Sequence, residues 1–216
     1  MDVRQLRTRD ALARAIRDLA SQRTLADITV TDVALHAGIS RPTFYAHAAS
    51  PGALLGAVLG AELQALREEF DRLSEQSAAD ETIPLERFQS ALVEHVYRNA
   101  AIYRHNLRHR LPPELRDVLI DHIEWGLVDH LTRHPDIAPR DPEAESDAKS
   151  AGENENNSKV DASEARYREA ALYSAMAASG TVAALETWLR APDPLHPARA
   201  VSAIRRGTAE WWTAAR

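Results

Sequence analysis

Apolar residues recur at three- and four-residue spacings along most of the chain, and no stretch sustains the alternation of a half-buried strand. Ala, Leu, Glu and Arg dominate, all good helix formers. The pattern predicts an all-α protein. A first helix is expected over 3–21, with Leu12, Ala13, Ile16, Leu19 and Ala20 on one face. Leu25, Ile28 and Val30 in the next connection close a small core. Thr31 is the expected N-cap of a two-turn helix, with Asp32 in its first turn and Val33, Ala34 and Ala37 on its buried side. Gly38 ends that helix in a left-handed turn. Ser40 caps a second short helix, RPTFYAH, in which Pro42 is tolerated because first-turn N–H groups lack helical partners, and Phe44 points to the core.

Ser50 and Pro51 open a long helix expected over 51–75, apolar at its head (Leu54, Leu55, Val58, Leu59) and polar at its tail. Further helices are expected over 84–110, with a kink or break near Asn99, from Pro113 to the region of Pro135, over 162–190, and over 197–214. Residues 136–163 hold eight acidic and three basic residues and almost nothing apolar, so they are expected to form a mobile loop. The predicted organisation is a small head over 1–50 and a helical body over 51–216.

Composition narrows the function. Net charge is −6, which by itself disfavours a polyanionic partner. Its distribution reverses that inference. Residues 1–50 carry seven arginines against five aspartates, net +2, while the remainder carries −8. A basic head on an acidic body suits a modular nucleic-acid binder, because only the docking face meets phosphates. The absence of cysteine excludes disulfides and thiolate metal sites and fits a cytoplasmic location. No apolar run reaches the roughly 20 residues of a membrane span, and the first twenty residues lack a signal-peptide h-region. With no GxSxG motif, phosphate loop or catalytic cysteine, the chain is not expected to be an enzyme or to need a cofactor. His105 with His109, and His130 with His134, stand four apart, but no carboxylate accompanies them at firm spacing and no metal is expected.

The segment TVTDVALHAGISRPTFYAHAASPGALL resembles the DNA-binding domain of the TetR family of transcriptional regulators. Thr31, Val33, Ala34, Ala37, Gly38, Ile39, Ser40, Thr43, Phe44, Tyr45 and His47 follow that family's spacing, about thirty residues from the N-terminus. The motif covers roughly a quarter of the chain; the rest matches in architecture. Ala48 stands where the family usually has an aromatic, and Pro51 where it usually has a lysine.

The resemblance implies a helix-turn-helix head joined by a long helix to a ligand-binding and dimerisation body. Arg41, Pro42 and Thr43 would face base edges in the major groove, with arginine able to grip guanine and threonine or proline able to touch a thymine methyl. Tyr45, His47, Thr31 and the helix start at Ser40 would hold phosphates. It also implies a homodimer on a palindromic double-stranded operator, released by a small-molecule effector. A regulator answering to a protein partner is the alternative. One interface stripe is expected from Tyr173, Met176, Ala177, Gly180, Ala184 and Trp188, and another from Val201, Ile204, Thr208 and Trp211. Phe88, Leu92, His95 and Tyr103 on one helical stretch, Ile123, Trp125 and Leu127 on the next, and Tyr173 beyond them are the candidate lining of an effector cavity.

Overall fold

The computed structural model describes residues 3–76, 82–133, 137 and 155–208. Among these residues the regular structure is entirely helical. The head consists of α1 (Val3–Ala20), α2 (Val30–Ala37) and α3 (Arg41–Tyr45), with a one-turn 3₁₀ segment at Leu25–Asp27. Leu12, Ala15, Ile16 and Ala20 from α1 bury against Ile28, Val33 and Phe44. The body consists of α4 (Pro51–Gln76), α5 (Thr82–Arg98), α6 (Ala100–Asn106), α7 (Pro113–Arg133), α8 (Glu155–Leu189) and α9 (Pro197–Gly207).

Most expected boundaries are met within a residue or two. The expected break falls at Asn99, whose backbone leaves helical geometry at φ −102° and ψ 16°. Ser50 caps α4 by accepting the Ala53 N–H at 3.1 Å. Two ends differ. The last helix stops at Gly207, because Thr208 is extended at ψ 135°; Trp211 and the rest of the expected helix lie outside the described residues. The backbone of α8 begins at Glu155, so the expected loop over 136–163 already contains helix from 155 onward. Glu155 and Lys159 stand four apart in sequence, acid first, the order that supports a helix. Apart from Ile137, residues 134–154 lie outside the described residues.

One continuous apolar core runs from head to body. Leu54, Leu55, Leu59 and Leu63 carry it along α4 to Leu92, Val93 and Val96 of α5 and to Leu115, Leu119, Ile123 and Leu127 of α7, with Val182, Leu185 and Leu189 of α8 behind them. Burying a side chain of this size contributes about 1.5–3 kcal/mol. The same side of α4 meets α7 through Gly52, Gly56 and Gly60. A Cβ at Gly52 would lie 2.9 Å from the Glu114 carboxylate, one at Gly56 would lie 3.0 Å from the Glu114 carbonyl oxygen, and one at Gly60 would sit 3.7 Å from Val118. The absence of side chains lets the first turn of α7 settle directly on the head-proximal half of α4.

Candidate nucleic-acid interface and body site

The tip of the head is built by capping. Thr29, and not Thr31, is the N-cap of α2. Its hydroxyl accepts the Asp32 N–H at 3.1 Å while the Asp32 carboxylate accepts the Thr29 N–H at 2.9 Å, a reciprocal capping box. Those hydrogen bonds, with Arg23 adding a weaker attraction, hold the Asp32 carboxyl below the usual range. Thr31 sits inside the first turn with its side chain exposed. Gly38 turns the chain at φ +68°, a left-handed conformation that costs an L-residue about 1–2 kcal/mol. Ser40 then caps α3, accepting the Thr43 N–H at 3.3 Å.

Helix α3 is anchored by Phe44, which is fully buried, and this fixes the orientation of its neighbours. Arg41, Pro42, Tyr45 and His47 are all exposed, and Thr43 is half-buried with its hydroxyl 2.8 Å from that of Ser40. Tyr45 is 54% exposed although its ring meets Phe44 edge-on at 5.7 Å, so it presents its hydroxyl end outward. The expected contact residues Ser40, Arg41, Pro42, Thr43, Tyr45 and His47 therefore lie on one short segment. Thr31 stands apart on α2. Ala48 is half-buried against the core, and Pro51 begins α4 as its first residue.

A polar network ties this head to the body. Arg17 of α1 donates to Glu62 of α4, and also to Asn99 Oδ1 at 2.8 Å. Asn99 donates in turn to Glu62 at 3.2 Å. The Leu25 N–H of the head donates to Asn106 of α6 at 2.7 Å. His95 and Tyr103, both expected to line a cavity, belong to this junction: His95 Nε2 is 3.1 Å from the Tyr103 hydroxyl. Glu62 lies 3.4 Å from His95 Nδ1 without forming a hydrogen bond. Burial, with Arg98 and Arg17 nearby, outweighs that carboxylate and lowers the His95 pKa to about 4. Burial also drives the Tyr103 hydroxyl far above its ordinary value.

The other expected lining residues fall deeper in the body. Phe88 stacks on His122 with ring centroids 4.8 Å apart and meets Trp125 at 6.4 Å. Its ring lies so close to Gly126 that no Cβ could be placed there. Leu92, Ile123 and Leu127 are buried core residues, and Tyr173 is half-buried at the edge of the same core. Sequence reasoning passed over Phe70, which packs edge-on against both Phe88 and Trp125, and Arg67, whose guanidinium lies 5.2 Å from the Trp125 ring centre. The only sequence signal for them was their spacing on the expected polar tail of α4. An open groove of about 410 Å³ between α5 and α9, lined by Ser90, Ala198, Val201, Ser202, Arg205 and Arg206, involves none of the eight candidates.

On α8, Leu172 and Met176 are 61% and 67% exposed, and Ser179, Gly180 and Ala183 continue the exposed strip. Tyr173, Ala177, Ala184 and Trp188 are half-buried within the protomer. Ile204, expected on an interface, is instead buried in the core, because α9 packs that face against α5 and α8. Among the described residues no cluster of three or more metal-ligating side chains occurs. His105 is exposed with Nδ1 2.9 Å from the Ala101 carbonyl. No described helix is long and apolar enough to cross a membrane.

The helical order, the head and the body together define the TetR-type regulator fold. The chain is similar to FadR of Thermus thermophilus, a TetR-family transcriptional repressor solved with lauroyl-CoA, with a TM-score of 0.62 at 18% identity over 92% of this chain and 91% of that one. It is similar to FadR of Bacillus subtilis, solved with stearoyl-CoA (TM-score 0.57, 12% identity, 91% and 95% of the two chains). It is also similar to NalD of Pseudomonas aeruginosa, the secondary repressor of the MexAB-OprM multidrug efflux pump (TM-score 0.53, 17% identity, 93% and 96%). By sequence, no family model and no curated protein matches the chain.

Proposed function

We propose that this protein is a DNA-binding transcriptional regulator that represses from a palindromic operator and is released by a small molecule. The observation that carries this reading is α3 and the turn after it: a capped five-residue helix, anchored by the buried Phe44, exposes Arg41, Pro42 and Tyr45, and the following turn exposes His47 beside them. Arg41 would read a guanine edge, Pro42 and Thr43 a thymine methyl, and Tyr45, His47 and Thr31 the phosphates. The exposed strip on α8 supports a homodimer, which would place two heads on successive major grooves. Solved neighbours holding acyl-CoA support a body that takes a small organic effector.

Selection of bound duplexes from fragmented genomic DNA, followed by gel shifts, tests the reading. A palindromic sequence is expected to emerge, with binding that weakens as salt rises. Arg41→Ala should cost about 1–3 kcal/mol and relax one base position, while Tyr45→Ala should weaken all sites alike. Variants that bind as the parent does, or a selection without enrichment, would refute it.

A further inference from the structure

Arg67 of α4 is half-buried, and among the described residues no carboxylate lies within ion-pair distance of it. Asp121 attracts it only from farther away, and desolvation lowers its pKa. Its guanidinium lies against Trp125 and its Nε–H donates to His122 Nδ1 at 3.2 Å. Because a guanidinium can only donate, His122 Nδ1 accepts and the ring proton sits on Nε2. That Nε2–H is buried, in a side chain 1% exposed, and finds no partner among the described residues. A buried donor left unpaired costs about 1–3 kcal/mol, so the Nε2–H of His122 calls for an acceptor from a ligand. Three aromatic rings pack together beside His122: Phe70, Phe88 and Trp125.

We infer that the body binds a small organic acid through this cluster, its carboxylate on Arg67 and its apolar portion against Phe70, Phe88 and Trp125. A guanidinium offers a carboxylate two parallel N–H groups, and a half-buried, aromatic setting weakens the competition from water. His122 positions Arg67 through Nδ1 and adds a donor at Nε2 for a further polar group of the ligand. The inference rests on the regulator reading for its biological sense, since Arg67 stands on the helix that leads to the head.

Calorimetric titration of the purified full chain with 2-naphthoate and decanoate, each paired with its primary amide, tests it. At least one acid should bind ten times more tightly than its amide, and acetate, lacking an apolar body, should not bind. Arg67→Gln should remove that preference by weakening the acid alone, and Arg67→Lys should restore part of it. Equal binding of acid and amide, a preference that survives Arg67→Gln in a folded variant, or no binding of either acid at millimolar concentration would overturn the assignment. The titration contains no DNA, so its failure leaves the role of α3 untouched, and failure of DNA binding leaves the acid site standing.

Discussion

Thr29 and Thr31 are two positions apart, yet only one organises the head. Thr29 exchanges two hydrogen bonds with Asp32, whereas Thr31 is exposed within the first turn. Thr29→Ala should therefore cost about 1 kcal/mol in urea unfolding, as N-cap losses do, while Thr31→Ala should leave the unfolding midpoint unchanged. The signal that separates them was in the sequence: a capping box needs its acid three residues after the cap, which fits Thr29 and Asp32 but not Thr31. Gly38, Ser40 and Phe44 were legible for the same kind of reason. Each is dictated by its immediate neighbours, through a left-handed turn, a cap and a buried anchor.

Elements were legible where their signal is local and obscure where it is not. The break at Asn99, the double-proline start of α7 and the cap of α4 all follow from short-range chemistry. The tie from Arg17 to Glu62 and Asn99 joins residues 45 and 82 apart, and no local pattern announces it. The cluster around Arg67 was hidden similarly: its members are far apart in sequence, and only the packing of α7 on α4 brings His122 and Trp125 to Arg67. On α8, spacing identified an apolar stripe but could not say which side faced inward. Packing within the protomer partly buries Tyr173, Ala177 and Trp188, the last against Tyr97 of α5, and leaves Leu172 and Met176 outside. If α8 forms the proposed dimer interface, Met176→Glu is expected to leave helix content unchanged and to halve the mass found by sedimentation, because a charge would be placed in the core of that interface. A monomeric parent, or an equally dimeric variant, would assign the strip another role.

Over the whole molecule, two buried imidazoles couple folding to pH. Burial lowers His95 to about 4 and His122 to about 3, with Arg98 and Arg17 acting on the first and Arg67 on the second. The unfolded chain protonates both near 6.5 and the folded chain does not. Protons thus favour the unfolded state as pH falls below that value, and the stability present at neutral pH is lost on acidification. The slope approaches about 1.4 kcal/mol per pH unit for each histidine. Urea midpoints measured between pH 7 and pH 5 should fall accordingly, and His122→Gln should make the decline shallower. An unchanged midpoint over that range would mean that both rings take up protons within the fold. The single core shared by head and body makes this loss cooperative, since acid acts on the junction at His95 and on the interior at His122 together.

The three glycines of α4 are the same letter at the same interval, but they have unequal freedom to drift. At Gly60 a methyl group would meet ordinary van der Waals contact, and alanine there would strengthen the helix. At Gly52 it would press on the far end of the Glu114 side chain, which can swing aside. At Gly56 it would press on the Glu114 carbonyl, which belongs to the backbone of α7 and can yield only if that helix retreats. Descendants of this sequence can exchange the first and third glycines cheaply, but a change at the middle one must be matched by a shift of a few tenths of an ångström in the backbone of α7, so divergence there is tied to how closely α7 seats on α4.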